Sequence, residues 1–226
     1  MEKTLRKYFP LFVLPTLAAF IIGFIIPFGQ GIYLSFCKFT TVNNAKWVGV
    51  SNYFTAFQDA TFAHAFWFTI AFAVVATLLI NLLAFMVALV LTRGIKGTNV
   101  FRTIFFMPNL IGGIVLGYIW QILINCVLSL VGKPLLALNT PAGYWGLIIL
   151  MAWQQVGYMM IIYIAGLQNV SPDLLEAAQI DGANSWQSLV KVKLPMVMPS
   201  ITICLFLSVT NSFKLFDQNL ALTGGL

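Results

Sequence analysis

The sequence predicts an all-α fold, a polytopic bundle of membrane-spanning helices. Of its 226 residues, 60% are apolar and only 8% are charged, whereas soluble domains carry about 25% charged residues. The 20 Phe exclude a disordered chain, because disordered segments lack aromatic residues. Five stretches approach or exceed the roughly 20 apolar residues that a span needs. No short alternating strands indicate a β-barrel.

The predicted spans cover about residues 9–36, 66–91, 104–124, 145–166 and 200–222, within a single transmembrane domain of residues 1–226. The first span follows Lys3, Arg6 and Lys7, as the apolar core of a secretory signal would. Its apolar run is too long for a signal, and no small-residue cleavage site follows it. It is therefore predicted to be a membrane helix, kinked at Pro15 and Pro27.

Cations in the loops predict the orientation, because cytoplasmic loops carry an excess of Lys and Arg. With the N-terminus inside, the inner side holds Lys3, Arg6, Lys7, Arg93, Lys96, Arg102, Lys191 and Lys193, and the outer side holds Lys38, Lys46, Lys133 and Lys214. The N-terminus is therefore predicted to be cytoplasmic. Five spans then place the C-terminus outside, where the chain stops abruptly, so we expect a further segment to be missing.

Residue types and spacings argue against an enzyme. Cys37, Cys126 and Cys204 lack metal-type spacing and are interpreted as packing residues. His64 has no accompanying ligand cluster, and no glycine-rich loop ends in Gly-Lys-Ser/Thr. The chain is predicted to hold no metal or cofactor, so any ATP is bound by another chain. No basic stripe indicates nucleic-acid binding.

The six acids also avoid the middle of the predicted spans. Glu2, Asp59, Asp173, Glu176 and Asp181 fall in loops, and Asp217 is expected at the outer end of the last span. Proton-driven carriers usually keep an ionisable group within the membrane. The pattern therefore weakens a proton-coupled carrier, although sodium sites built from carbonyl groups stay open.

The coupling loop, residues 168–198, is the most informative stretch. Ser171 is predicted to cap a helix with Pro172 at its first position, and Gly182 to end that helix in the left-handed conformation. Asn184 or Ser185 is predicted to cap a second short helix. Leu194-Pro195 is predicted to end that helix. The apolar faces of both helices need a partner, either the membrane surface and their own bundle or a groove of another protein.

One motif in this loop carries a family resemblance. Glu176-Ala177-Ala178 is followed after three residues by Gly182, then after nine more by Val192, and then by Leu194-Pro195. This spacing resembles the Glu-Ala-Ala loop of binding-protein-dependent ABC importer permeases, which usually have Ile at the position of Val192. Flanking segments resemble the carbohydrate-uptake branch, of the type of the first maltose-transporter permease: Phe101–Asn109, Trp153–Gly157, Ala165–Gln168, Phe213–Asp217 and Leu222–Gly225.

The resemblance implies the type I ABC importer permease fold, with a sixth span after the present C-terminus. It implies a bacterial inner-membrane subunit that forms the translocation path with a second, homologous permease. Two copies of a cytoplasmic ABC ATPase would bind ATP and Mg, and an extracellular or periplasmic solute-binding protein would deliver the substrate. Residues at the matching positions are expected to couple to the ATPase: Glu176, Ala177, Ala178, Asp181, Gly182, Leu194 and Pro195.

Polar residues inside the predicted spans are candidates for the substrate path, because sugars need amide, hydroxyl and aromatic partners. The resemblance favours two helices and five residues, Gln154, Gln155, Tyr158, Ser208 and Asn211. The alternative is that such groups only bond neighbouring helices together. That alternative is preferred for Gln121 and Asn125, while Asn81 and Asn109 stay open. Gly113 and Gly117 predict a close helix approach.

The predicted function is the permease subunit of an ATP-driven importer of mono- or oligosaccharides. The alternative is an ABC importer permease for a non-sugar solute such as glycerol phosphate or a peptide. Amino-acid, peptide and phosphate permeases share the loop but not the sugar-type flanks. A stand-alone secondary carrier or channel has no use for the spaced motif. The sugar itself is not predicted, since the resemblance places specificity largely on the binding protein.

Overall fold

A computed structural model describes residues 2–138 and 140–225. The chain forms two compact units, Met1–Trp67 and Phe68–Leu226. In the described residues, five helices are long and apolar enough to cross a membrane: Val13–Ser35, Ala60–Leu91, Gly113–Leu130, Pro141–Gln168 and Ser185–Phe213. The prediction of a helical chain with several spans is confirmed.

A long helical rod begins the first unit. It consists of α1 (Glu2–Phe20), a π-helical turn (Ile21–Ile25) and α2 (Ile26–Ser35). The rod stays helical through Pro15 and Pro27. The N–H of Ile26 bonds to the carbonyl of Ile21, which widens the turn directly before Pro27. A π turn gives room to a proline ring that would clash with the tighter α turn.

A small hairpin and a short helix complete this unit. Strands β1 (Cys37–Lys38) and β2 (Lys46–Trp47) pair antiparallel, with Cys37 opposite Trp47. A 3-10 turn, Val42–Asn44, joins the strands, and α3 (Ser51–Gln58) follows them. The ring of Phe36 lies 5.3 Å from that of Trp47 and 5.5 Å from that of Tyr53. These aromatic contacts pack the hairpin against the end of the rod and α3.

The second unit contains the bundle. Its elements are the greater part of α4 (Ala60–Leu91), then α5 (Thr98–Phe106), a 3-10 turn (Met107–Leu110), α6 (Gly113–Leu130), a 3-10 turn (Leu136–Leu138), α7 (Thr140–Gln168), α8 (Pro172–Ile180), α9 (Ser185–Ser188), a π turn (Leu189–Lys193), α10 (Leu194–Phe213) and α11 (Phe216–Thr223). Helix α7 lies at the centre and packs against α5, α6, α10 and α11. Its buried side chains, among them Met151, Met159 and Met160, form the middle of the core.

Glycines let two helices approach α7 closely. A Cβ atom at Gly157 would overlap the backbone carbonyl of Phe105 in α5, and one at Gly166 would overlap the side chain of Ser200 in α10. Small residues at such crossings bring backbones together and increase dispersion contacts, which drive association in lipid. The two glycines therefore fix where α5 and α10 pack on α7.

The third predicted span differs from the structure. A single helix was expected over 104–124, but α5 ends at Phe106 and α6 begins at Gly113. Pro108 lacks the N–H that would continue the helical bonding, and Ile111 and Gly112 are extended. The helix that is long enough to span is Gly113–Leu130.

The fifth predicted span also differs, at both ends. The prediction that Leu194-Pro195 ends a helix is wrong, since Ser185–Phe213 is one continuous helix. The N–H of Leu194 bonds to the carbonyl of Leu189, so a π turn again accommodates a proline two residues beyond its end. The helix then stops at Phe213 instead of reaching residue 222, and α11 follows as a separate helix along α6.

Candidate functional site

The first helix of the coupling loop forms where the sequence predicts it. Helix α8 has Pro172 at its first position and Asp173 in its first turn, where a negative charge favours the helix dipole. Ser171 occupies the N-cap position, although its side chain accepts no capping hydrogen bond. Glu176, Ala177 and Asp181 are exposed. The acidic side of this helix is therefore open to a partner.

A tight turn follows α8, and its geometry requires glycine. Gly182 has a φ of +77°, in the left-handed region that side chains with a Cβ rarely adopt. The N–H of Ala183 donates to the carbonyl of Ala178 at 2.9 Å, and that of Gly182 donates to Gln179 at 3.0 Å. These two bonds form a Schellman motif, which confirms the predicted role of Gly182 at the helix end.

The second helix of the loop is capped by Asn184, one of the two predicted candidates. Its side-chain oxygen accepts from the N–H of Gln187 at 2.8 Å, while the Gln187 side chain accepts from the Asn184 N–H at 2.9 Å. This reciprocal capping box satisfies two otherwise unpaired donors. Together with the Schellman turn, it fixes the angle between α8 and α9 by local hydrogen bonds.

The apolar side chains of the loop divide into two groups. Leu175 packs against the bundle core. Leu174, Ile180 and Trp186 are 46%, 86% and 70% exposed. The loop therefore lies on its own bundle with one face and leaves a second apolar face uncovered. Leu194 and Pro195, the remaining predicted coupling residues, lie in the first turn of α10 rather than beside the Schellman turn.

Gln154, at the middle of α7, joins the two interrupted helices. Its Nε2 donates to the carbonyl of Ile111 at 3.1 Å, in the break between α5 and α6. Its Oε1 accepts from Nε2 of Gln218 at 3.3 Å, in the first turns of α11. Discontinuous helices near the middle of a membrane commonly mark transport sites, because their freed backbone groups line a cavity.

The neighbouring amides extend this contact. The side chain of Asn211 donates to Oε1 of Gln155 at 3.1 Å, close to the end of α10. Gln154 and Gln155 are 6% and 9% exposed, whereas Asn211 and Gln218 are half-buried. We call Gln154, Gln155, Asn211 and Gln218 the glutamine junction. It brings together three of the five predicted substrate-path residues.

Ser208 belongs to a different buried cluster. Its hydroxyl accepts from Nδ2 of Asn81 at 2.9 Å and donates to the carbonyl of Cys204 at 2.7 Å. Oδ1 of Asn81 accepts from the hydroxyl of Tyr163 at 2.7 Å. Because Ser208 is fully buried, this conformation uses it to join α4, α7 and α10 rather than to meet a solute.

The remaining polar candidates are also accounted for. Tyr158 is half-buried and faces Phe106, with ring centroids 6.5 Å apart. Gln121 donates to the carbonyl of Leu222 at 3.1 Å, and Asn125 accepts from the N–H of Leu136 at 2.9 Å. The packing interpretation of Gln121 and Asn125 is thus confirmed. Asn109 lies in the break before α6.

Helix α11 packs closely against Gly113 and Gly117 of α6. A Cβ at Gly117 would lie 2.6 Å from that of Ala221, and one at Gly113 would lie 2.9 Å from the Gln218 side chain. The predicted close approach is confirmed. Asp217 lies four residues beyond Phe213, the last residue of the final span, in the first turn of α11 beside Gln218. Asp217 and Lys214 are exposed there.

Gln218 and Gly157 also contribute to the site, and the sequence did not predict either of them. Gln218 lay in a stretch assigned to the outer end of the last span, so its partner at mid-bundle was not foreseen. Gly157 lies in Trp153–Gly157, one of the segments that resemble the carbohydrate-uptake branch, and this resemblance was the only sign in the sequence that the glycine matters. No group of three or more potential metal ligands occurs within residues 2–138 and 140–225.

Comparison with known proteins identifies the family. Residues 81–226 match the family described as "Binding-protein-dependent transport system inner membrane component". The chain belongs to this family. The resemblance noted from the Glu-Ala-Ala spacing is thereby confirmed, and the chain is a multi-pass permease of the binding-protein-dependent ABC importer type.

Two curated relatives illustrate the similarity. The chain is 43% identical over 224 residues to the probable starch degradation products transport system permease protein AmyD of Thermoanaerobacterium thermosulfurigenes, covering 95% of this chain and 76% of the relative. It is 32% identical over 235 residues to the multiple sugar-binding transport system permease protein MsmF of Streptococcus mutans, covering 100% and 81%. Both relatives are permease proteins of transport systems.

A solved structure has the same fold. A chain of a bacterial ABC transporter involved in the import of the acidic polysaccharide alginate superposes with a TM-score of 0.80 at 22% identity. The match covers 98% of this chain and 79% of the other. It confirms the type I permease architecture predicted for the bundle.

Proposed function

We propose that this chain is the membrane-spanning permease subunit of an ATP-driven importer of mono- or oligosaccharides. The sugar assignment is supported by AmyD and MsmF, whose names refer to starch degradation products and to multiple sugars. The subunit forms the translocation path with a second, homologous permease, with its N-terminus in the cytoplasm. An external solute-binding protein delivers the sugar. Two copies of a partner ATPase bind ATP and Mg, so the chain itself is non-catalytic.

The exposed apolar face of the coupling loop carries this proposal. Ile180 and Trp186 are 86% and 70% exposed on a segment whose conformation is already fixed by its Schellman turn and capping box. Short amphipathic helices that present such anchors dock into grooves of partner proteins. The exposed carboxylates of Glu176 and Asp181 add groups that can pair with cations of the ATPase.

The continuous helix Ser185–Phe213 supplies the mechanical connection. It begins directly after the loop turn and ends beside the glutamine junction, where Asn211 bonds to Gln155. A helix hydrogen-bonded along its length transmits a displacement of one end to the other. Closure of the ATPase dimer on α8 and α9 thus moves Asn211 relative to α7, which changes access to the junction.

The glutamine junction and Tyr158 form the substrate path in this proposal. The amides of Gln154, Gln155 and Asn211 supply donors and acceptors for sugar hydroxyls, and the Tyr158 ring supplies an apolar face. Asn211 and Tyr158 are half-buried, so they are the first to meet a solute. Ser208 contributes only in a conformation that opens its bond to Asn81.

Gly182→Leu in the assembled transporter tests the coupling. A left-handed leucine costs about 1–2 kcal/mol, and a Cβ there meets no neighbour, so the loop changes shape while the bundle stays folded. We expect the subunit to insert normally and sugar-stimulated ATP hydrolysis and uptake in liposomes to fall at least tenfold. Wild-type uptake would refute the coupling role.

Gly132→Leu is the matched control. Gly132 has a φ of +68°, and it ends α6 with the same pair of bonds, Lys133 to Leu128 at 2.9 Å and Gly132 to Ser129 at 3.1 Å. The same strain placed outside the coupling loop is expected to leave coupling intact. If candidate sugars with binding protein give no stimulation while a peptide or glycerol phosphate does, the substrate class is wrong although the coupling stands.

A further inference from the structure

A cavity of about 700 Å³ lies between α4 and the coupling loop. Its lining comes from Leu89 near the end of α4, from Thr92 and Arg93 directly after that helix, and from the coupling loop: Gln179 in α8, Ala183 and Asn184 in the turn, Ser185 and Ser188 in α9, and Leu189 and Lys193 in the π turn. Its volume is in the range of pockets that hold small ligands. The cavity is distinct from the glutamine junction, which lies at the other end of α10.

The lining has the chemistry of an anion site. Arg93 and Lys193 both contribute to the wall, and none of the residues that line the cavity is acidic. Hydroxyl groups of Ser185 and Ser188 and the amide of Gln179 add hydrogen-bond donors. Guanidinium and ammonium groups with neutral donors are the combination that binds phosphate oxygens in proteins. Because Arg93 and Lys193 line the same cavity, an anion bound there is attracted by both.

The position of the cavity indicates which phosphate it meets. Arg93 lies two residues beyond Leu91, the last residue of the span Ala60–Leu91, where the apolar segment gives way to the polar loop. Exposed apolar residues of α4, Leu82, Met86 and Val90, run up to this end along the helix. Basic pockets between spanning helices on the cytoplasmic side bind the headgroups of anionic lipids. A phosphate carried by a lipid reaches this depth directly from the bilayer.

We infer that this cavity binds the phosphate group of an anionic phospholipid of the inner leaflet. The inference rests on the proposed function for the cytoplasmic position of the coupling loop. The headgroup connects Arg93 at the end of α4 with Lys193 in the π turn. Because the π turn continues directly into α10, the lipid holds the start of α10 close to the end of α4. Phospholipid composition therefore sets how readily the coupling loop moves.

The test measures lipid retention by the assembled transporter, purified with its partner subunits into mild detergent. Native mass spectrometry compares bound phosphatidylglycerol with bound phosphatidylethanolamine after exchange from mixed micelles of both. Each surface cation contributes about fivefold to the binding of an anionic lipid. We expect Arg93→Gln/Lys193→Gln to lower phosphatidylglycerol retention by about 25-fold, and each single variant by about fivefold. The single variants keep the test informative if the double variant is unstable.

The control variant is Lys96→Gln/Lys191→Gln. It removes two exposed cations from the same side of the chain, and neither lines the cavity. Unchanged retention in this control supports a specific site, whereas an equal loss in both double variants would reduce the effect to general surface charge and overturn the inference. A preference for phosphatidylglycerol that survives Arg93→Gln/Lys193→Gln would also overturn it.

A soluble arm separates the two sources of phosphate. Inorganic phosphate and glycerol 3-phosphate are titrated into the complex loaded with phosphatidylglycerol. We expect neither to displace the lipid at millimolar concentration. Displacement by either would assign the cavity to a soluble phosphate compound and overturn the lipid assignment. Retention is read without transport, so a failure of the sugar-import proposal leaves this result unaffected.

Discussion

Asn81 joins three helices through one side chain, and its contribution to stability follows from its contacts. The amide Nδ2 reaches Ser208 of α10 at 2.9 Å, and Oδ1 accepts from Tyr163 of α7 at 2.7 Å. Interhelical hydrogen bonds in membrane proteins contribute about 0.6 kcal/mol on average and up to about 1.7. Replacement by Leu, which keeps an apolar body of similar size, is therefore expected to lower the unfolding free energy by about 1–3 kcal/mol.

The two partners of Asn81 respond differently to its loss. The hydroxyl of Ser208 still donates to the carbonyl of Cys204 at 2.7 Å, so it stays satisfied. The buried hydroxyl of Tyr163, which is 2% exposed, loses its oxygen acceptor and keeps only the neighbouring Cys204 thiol, a weak acceptor. Most of the destabilisation should therefore come from the poorly satisfied phenol, since an unsatisfied buried donor costs more than the net value of its bond.

This asymmetry predicts the outcome of a double-mutant cycle. Tyr163→Phe should cost about 0.6–1.7 kcal/mol in the wild-type background, and it should be neutral or stabilising in the Asn81→Leu background. Unfolding free energies are measured by titrating SDS into mixed micelles and following circular dichroism. Thr210→Ala is the control, because the Thr210 hydroxyl bonds to its own helix at the carbonyl of Phe206. An equal cost of Tyr163→Phe in both backgrounds would refute the reasoning.

Further predictions concern packing, docking and the junction. Gly157→Val forces a side chain into the α5 backbone and should destabilise the bundle by at least about 3 kcal/mol, seen as lost monodispersity in detergent, whereas Gly23→Val, with open space around it, should be tolerated. Trp186→Ala should leave thermal stability unchanged but weaken copurification of the ATPase at least tenfold, and Trp145→Ala, also exposed, should not. Gln154→Leu removes the amide that bonds to both Ile111 and Gln218. It should lower the unfolding free energy by about 1–2 kcal/mol, and it should reduce sugar uptake more strongly than this loss of stability explains.

Local rules explain why the coupling loop was predicted closely. The left-handed Gly182 and the Asn184 cap depend on residues within one turn of each other, so nearby sequence determines them. The sequence also predicted apolar side chains in need of a partner, among them Leu174 and Trp186, which are 46% and 70% exposed, but it did not single out Ile180.

Long-range contacts explain what the sequence did not reveal. The interruption at Lys214 and Leu215 contains neither proline nor glycine, and it coincides with the bond between Asn211 and Gln155 of another helix. The overlap that requires Gly157 depends on which backbone lies opposite it. Neither Gln155, which bonds to Asn211, nor Phe105, which lies opposite Gly157, can be identified from the residues adjacent in sequence.

The Pro195 prediction failed for a different reason. The rule that a proline ends the preceding helix assumes α geometry, in which the ring meets a carbonyl one turn earlier. The π turn at Leu189–Lys193 widens that turn and removes the clash. Pro27 in α2 follows the turn Ile21–Ile25 in the same way. Pro15 in α1 and Pro199 in α10 have no such turn directly before them, so the π turn accompanies Pro27 and Pro195 and is not needed at every proline of the chain.

The π turn at Leu189–Lys193 also sets the angular phase of the coupling loop. The buried face of α10 contains Val197, Cys204 and Ser208. Trp186 precedes Val197 by eleven residues, which is within about 20° of three full turns in an unbroken α-helix, so an ideal helix would aim the indole at the bundle. The extra residue of a π turn rotates everything before it by about 100°, and the indole is 70% exposed. The single extra residue of the π turn therefore determines whether the Trp186 side chain is buried in the bundle or exposed for contact with another protein.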